Sequence, residues 1–316
     1  MKAYALTVAD QPAALVDLPD PELPADGVLI RVRAASVNGI DLFEANGYLV
    51  PMMPHDFPVV VGRDAAGVVD AVGTGRTDVA VGDEVIAFVP AMPPLRVGSW
   101  AEILAAGPEV ALTPKPAGLS FEIAASTPLA GATALDSVNA AAVGAGDTVL
   151  VIGATGGVGS IAVQLAAQRG ATIIATARAG DDADFVRSLG ASDTIDYSVV
   201  DVAAAVAARH PGGVDVLLDF VNRGDAFGPM ASLVHDGGRI ATTMGAADAD
   251  ALAARGIAAT NVMGNPTPEK LADLAAQAAA GTLRIEVQQT FPLADAASAL
   301  GAFAAGTRGK LVLTVE

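Results

Sequence analysis

The chain has 316 residues, 52% of them hydrophobic and none of them cysteine, and it carries a formal charge of −17. That length suits one large domain or two, each able to bury a core. The lack of cysteine excludes a disulfide framework, cysteine-ligated zinc, an iron–sulfur cluster and a thiol nucleophile, and 35 acids against 18 bases argue against nucleic acid and anionic lipid as partners.

The first residues, MKAYALTVADQP, lack the apolar run of a secretory signal, so a cytoplasmic protein is expected. Up to about residue 115 the signals are short strands between turns: 27–32 (GVLIRV), 59–61, 65–72 (AAGVVDAV) and 84–89 (EVIAFV). Pro51, Pro54, Pro58, Pro90, Pro93 and Pro94 favour loops and sheet edges there over long helices. This part reads as a β or mixed barrel-like domain. From about residue 120 strands and helices alternate: strand 149–152, helix 158–168, strand 172–176, helix 182–189, strand 191–195, then strands 214–220 and 239–243. Such alternation implies a parallel sheet with both faces covered. The tail holds two helix candidates, 267–280 and 293–305, and ends on strand 310–315 (KLVLTV). A last strand must pair somewhere, and it is expected to return to the first domain. Charge does not divide the chain: residues 1–118 carry 7 bases and 15 acids, and residues 119–316 carry 11 and 20.

Residues 148–168 run 21 positions without a charge, long enough to cross a bilayer. Four glycines in the middle would break a spanning helix, and their spacing has another meaning. The loop Gly153-Ala154-Thr155-Gly156-Gly157-Val158-Gly159 lies between a predicted strand and a predicted helix. Gly156 lets a backbone approach a pyrophosphate, Gly159 lets the helix lie close to the strand, and the free N–H groups of the helix start receive the phosphate charge. Ala154 stands where the strict G-x-G-x-x-G pattern has its first glycine. The second strand ends at Thr176 without the acid that an NAD ribose requires, and Arg178 follows. A guanidinium there suits the 2′-phosphate of NADPH. The alternative is a solvated arginine neutralised by Asp181 and Asp182.

In order and spacing, several segments resemble one family. They are Gly62-Arg63-Asp64-Ala65-Ala66-Gly67 continuing to Gly73, Val81-Gly82-Asp83, the 153–165 stretch, Ser36-Val37-Asn38, Pro128 to Thr133, Leu189-Gly190-Ala191 and Gly309-Lys310-Leu311. The chain resembles the medium-chain dehydrogenase/reductase superfamily, of the zinc-free NADPH:quinone oxidoreductase type. The resemblance implies an α/β plus β fold. A GroES-like, β-barrel-type catalytic domain would span 1–119 and 264–316. A Rossmann domain, a doubly wound parallel sheet, would be inserted over 120–263. The active site would lie in the cleft, and the protein would be a homodimer sealed through an exposed Rossmann edge strand. Zinc-dependent members carry Cys near the position of Asn38, Gly-His-Glu at Gly62-Arg63-Asp64, and a four-cysteine lobe after residue 89. Here that last stretch is short and no cysteine exists, so no metal site is expected. His55, His210 and His235 are scattered without ligand spacing.

The resemblance also implies site residues. Asn38 would face the nicotinamide, or else serve as a turn residue before Gly39. Tyr48 would border the substrate as a donor, or merely line a rim. Asp41 matches the family, but with Glu44 it has capping-box spacing, and an N-cap role is expected. Thr133 would start the first helix of the nucleotide domain. Tyr197 would contact the 2′-phosphate end or pack at a strand end. Gly245 would pass the nicotinamide. Lys310 matches a position near the cofactor, against the plainer reading of an edge-strand lysine.

Without a strong Lewis acid, reversible alcohol oxidation is the poorer fit. Hydride transfer from NADPH to quinones or α,β-unsaturated carbonyls needs only orientation and hydrogen-bond donors for the developing oxyanion. The alternatives are an enoyl thioester reductase, which needs a basic mouth that a first domain of net −8 does not offer, and a non-catalytic NADPH sensor or scaffold.

Overall fold

Whether a run of β-branched residues becomes a central or an edge strand depends on what covers it, and the computed structural model, which describes residues 1–316, resolves this for every strand. By internal contacts the chain divides into two units, Met1–Leu129 with Pro266–Glu316, and Ala130–Asn265.

The first unit opens with β1 (Lys2–Leu6), β2 (Ala14–Asp17), β3 (Val28–Ser36) and helix α1 (Gly39–Ala45). It continues through β4 (Val59–Val60), β5 (Asp64–Val72), β6 (Glu84–Phe88), β7 (Ile103–Ala106), β8 (Ala111–Pro114) and the short helix α2 (Phe121–Ala125). Helix α3 (Pro128–Ala140) starts here and carries the chain into the second unit. That unit holds β9 (Thr148–Ile152), α4 (Gly157–Gln168), β10 (Thr172–Thr176), α5 (Asp181–Ser188), β11 (Asp193–Ile195) and α6 (Val202–Arg209). After these come β12 (Val214–Asp219), α7 (Phe227–Ala231), β13 (Val234–Thr242), α8 (Ala249–Ala253) and β14 (Ala258–Asn261). The tail, α9 (Pro268–Ala279), β15 (Val287–Pro292), α10 (Ala296–Ala304) and β16 (Lys310–Thr314), rejoins the first unit.

In the first unit β1 lies between β2 and β4, and a larger sheet runs β15-β16-β3-β5-β6-β8, with β7 also paired to β3. Here β16 pairs antiparallel with β3, Val312 opposite Ser36, so the terminal strand does return to the first domain. It is not an edge strand, because β15 pairs in parallel on its outer side. Trp100 is fully buried among Leu6, Val59 and Leu104. Gly62, at φ +102, faces its indole at a distance that leaves no room for a side chain.

In the second unit the parallel sheet has the order β11-β10-β9-β12-β13-β14. Numbered within the unit this is 3-2-1-4-5-6, the doubly wound order that reverses between β9 and β12. Leu150, Ile152, Ile174, Leu217 and Ile240 form one core with Val206 and Phe227. Val149, Val151, Ile173, Val216 and Leu218, of the opposite parity, are buried as well. Both faces are therefore covered, which is why these strands read as continuous apolar runs. The uncharged stretch 148–168 resolves into β9, the glycine loop and α4, and no helix is long and apolar enough to cross a membrane. By internal contacts the units part at Leu129/Ala130 and Asn265/Pro266, ten residues beyond the first expected boundary and two beyond the second. The periodicity changes at α2, yet Ala124 and Ala125 pack on Ala34, Ala66 and Val312 of the first unit.

Candidate functional site

The glycine loop joins the end of β9 to the start of α4. Gly153 has φ +79, and a Cβ there would stand 2.6 Å from a Val221 methyl. At Gly159 a Cβ would run into the Gly153 carbonyl oxygen and come within 2.8 Å of Ala154 Cα. Only glycine lets the helix approach the strand this closely. Ala154 is fully buried under the turn. Gly156 is the N-cap of α4 and brings no side-chain acceptor, so the first-turn N–H groups of Gly157, Val158 and Gly159 stay open to an anion. The loop is held from below. Thr176 Oγ1 accepts from Gly153 N at 3.0 Å and donates to Val151 O at 3.3 Å, so Thr176 is a buried brace of the turn.

Past β10 the Arg178 guanidinium lies over the Tyr197 ring, 5.7 Å from its centroid. It makes no ion pair with Asp181 or Asp182, while its charge acts weakly on Asp196. Asp196 instead accepts from Ser198 and from Ala179 N–H, which holds its carboxyl below the usual range. Gly245 sits in the loop after β13 at φ +65. Thr133 does not start a helix. It lies inside α3, buried, and its side chain excludes any Cβ at Gly264. Asp219 was missed in the sequence. It ends β12 fully buried, and its carboxylate ties the following turn by accepting from Val221 N, Asn222 N and Asn222 Nδ2 at 3.0, 2.9 and 2.8 Å.

The first unit contains a second constellation, built where β3 ends and α1 begins. Asp41, Glu44, Arg63, Asp64 and Lys310 are all buried, with Asn38 among them. Asn38 is the N-cap of α1, and Asp41 is the third helical residue, accepting from Asn38 N–H at 2.8 Å. The expected N-cap is thus shifted by three: Asp41 is the returning half of a capping box. The Asn38 amide is engaged on both sides. Its Oδ1 accepts from Lys310 Nζ at 2.6 Å, and its Nδ2 donates to Asp64 Oδ2 at 2.9 Å and reaches Ser36 Oγ at 3.5 Å. Lys310 Nζ also donates to Val37 O at 2.8 Å. Arg63 pairs with Glu44.

Three buried carboxyls face two buried cations. Burial raises Asp41 to about 8, the Asp64 and Glu44 charges push the same way, and Arg63 opposes. At about 8, Asp41 keeps its proton at neutral pH. Burial also raises Glu44 and Asp64, opposed by Arg63 and Lys310 respectively, and lowers Lys310, opposed by Asp64 and Asp41. Asp41 Oδ1, Glu44 Oε2 and Arg63 Nε have no partner. Arg63, Glu44 and Asp64 were not singled out as site residues; the available signal was the charged pair Arg63-Asp64 at the start of the apolar β5 segment. Tyr48 stands apart from this network, 60% exposed, its ring edge-on to Phe43 at 5.9 Å.

Two family models match the sequence: "Alcohol dehydrogenase GroES-like domain" over residues 24–117 and "Zinc-binding dehydrogenase" over 189–313. Among curated proteins the chain is 35% identical over 230 residues to the NADPH-dependent alkenal/one oxidoreductase, chloroplastic, of Arabidopsis thaliana. It is 34% identical over 231 residues to the 2-methylene-furan-3-one reductase of Solanum lycopersicum. Each match covers 72% of this chain but 57% of the relative, so the chain spans little more than half of their length. Among solved structures the quinone oxidoreductase of Coxiella burnetii superposes with a TM-score of 0.89 at 32% identity, covering 100% of this chain and 99% of that one.

Proposed function

The chain belongs to the medium-chain dehydrogenase/reductase superfamily, of the zinc-free quinone oxidoreductase type, and we propose that it catalyses NADPH-dependent, metal-independent hydride transfer to quinones or α,β-unsaturated carbonyls. The names of both curated relatives carry the same chemistry, a C=C bond conjugated to a carbonyl. The observation that carries the cofactor reading is the open first turn of α4 behind a loop where a Cβ on Gly153 or Gly159 would collide with its surroundings.

When bound, NADPH supplies the hydride and its nicotinamide the chemistry. The N–H groups of Gly157, Val158 and Gly159 would hold the pyrophosphate, with Thr176 and Ala154 fixing the turn beneath. Arg178, over the Tyr197 ring and in no ion pair, would hold the 2′-phosphate. Gly245 and Thr133 are assigned to the nicotinamide end. Tyr48 is assigned as donor to the substrate carbonyl, since its hydroxyl is exposed and uncommitted, whereas the Asn38 amide is spent within its own cluster. Asn38 and Lys310 therefore enter the site as positioning groups. The same proposal includes a homodimer in the cytoplasm, sealed through the mostly exposed edge strand β14 and Met263 beyond it.

The test is NADPH oxidation followed by absorbance, with NADH as control, against benzoquinone, phenanthrenequinone, crotonaldehyde, crotonyl-CoA and simple ketones. Turnover of quinones or crotonaldehyde, undiminished by a chelator, is expected. NADPH binding without turnover of any acceptor would favour a sensor or scaffold, and preference for crotonyl-CoA would favour a thioester reductase.

A further inference from the structure

Helix α3 opens at Pro128. The residue before Pro128 is Thr127, whose hydroxyl donates backward to Ala124 O and Ile123 O of the preceding helix. Its oxygen is therefore turned away from the first turn of α3. Asp64, 65 positions earlier on β5, does the capping instead: its Oδ1 accepts from Leu129 N at 3.1 Å. A carboxylate at this spot also meets the positive end of the helix dipole. Burial pushes this carboxyl toward its neutral form, and the charge and donors around it oppose that. Its other oxygen accepts from Ser36 Oγ and from Asn38 Nδ2, both at 2.9 Å. Behind Asn38 stands the Lys310 ammonium at 2.6 Å. The amide dipole of Asn38 points from cation to anion, so the three groups form one aligned chain from β16 to the first turn of α3.

We propose that Lys310 is a positioning residue: acting through Asn38 and Asp64, it fixes the N-terminal turn of α3, the helix that carries Thr133 one turn beyond Leu129. Only the expected effect on NADPH affinity rests on the cofactor reading above. The identity of the groups follows from the chain. A lysine supplies the buried positive charge from β16. An asparagine can accept from it and donate onward. An aspartate can accept from a helix N–H while holding two further donors. A purely structural lysine would need none of this polarity, since an apolar residue would fill the same space with less desolvation.

Hydrogen–deuterium exchange on the cofactor-free protein tests the anchor, and calorimetric NADPH titration tests its consequence. In Lys310→Met, exchange over residues 129–133 is expected to rise about tenfold, the scale of losing a charged helix cap, with β9 and α4 unchanged. NADPH affinity is expected to fall about fivefold to tenfold, while KM for the acceptor stays near wild type. Asp64→Asn, which keeps the shape and removes the charge, is expected to act in the same direction and carries the test if Lys310→Met does not fold. Unchanged exchange at 129–133 would overturn the proposal. So would faster exchange with unaltered NADPH affinity, or a uniform rise in exchange over the whole first unit. Failure of the wild-type protein to bind NADPH would instead overturn the cofactor reading, and the exchange measurement would still decide the anchor.

Discussion

Arg178 lies over a tyrosine ring and makes no ion pair, although Asp181 and Asp182 follow it and Asp196 lies nearby. A guanidinium in that state gains most from a dianionic phosphate. Arg178→Ala is expected to lower kcat/KM for NADPH by about tenfold to a hundredfold, the worth of a charged hydrogen bond. The NADH value should hardly move, so the ratio of the two is the measurement, and equal losses would remove Arg178 from the phosphate site. Asp41 poses a different question. Its carboxyl is raised to about 8, first by burial, against about 3.9 in an unfolded chain. The folded state therefore holds a proton that the unfolded state has released, and stability falls as pH rises through that window. Asp41→Asn mimics the protonated form. Its melting temperature should match wild type near pH 4 and exceed it increasingly up to pH 8. A gap that does not change with pH would mean that Asp41 is ionised in the fold.

At the scale of elements, the parallel sheet has its own pH-sensitive tie. Asp215 on β12 accepts from His235 Nε2 on β13 at 2.9 Å and from Thr148 N on β9 at 2.8 Å, so one carboxylate joins three adjacent strands. The bond to Asp215 raises His235, and the bond to His235 lowers Asp215. The histidine contribution is complete below its unfolded value of about 6.5 and is lost as pH rises through the raised folded value. The aspartate contribution is present above about 3.9 and is lost as pH falls through the lowered one. His235→Gln should therefore cost most between about pH 4 and 6.5 and little at higher pH; because both groups are partly exposed, the cost should stay below about 1 kcal/mol. Denaturant melts at three pH values measure it. These strands were readable from sequence because burial on both faces writes an unbroken apolar run such as Val149–Ile152. Strands β14 (Ala-Ala-Thr-Asn) and β15 (Val-Gln-Gln-Thr-Phe-Pro) were not, since edge strands keep polar faces and leave no period to detect. That same omission made Lys310 read as an edge lysine: without β15 on its outer side, β16 had nothing to bury it. The glycine loop was legible because its spacing is a local steric demand. The Asp41–Glu44–Arg63–Asp64–Lys310 cluster was not, because it joins residues up to 269 positions apart that only the fold brings together.

For the whole molecule the dominant fact is the charge of −17, spread along the chain rather than gathered in a tail. A net negative charge repels like-charged ligands over roughly a Debye length, about 10 Å at 0.1 M salt. In the proposed site NADPH would overcome this through the helix N–H groups of α4 and Arg178. An acceptor carrying several phosphates has no comparable site among the residues assigned here. At saturating NADPH, kcat/KM for crotonyl-CoA should therefore rise with ionic strength, several-fold between about 0.02 and 0.2 M, as screening relieves the repulsion. Crotonaldehyde, which is neutral, should show a flat profile over the same range and so controls for effects of salt on the enzyme itself. The sign of the slope is the decisive quantity. A thioester rate that falls with salt would mean that attraction dominates at the mouth of the site, and with it the thioester-reductase reading would displace the one proposed here.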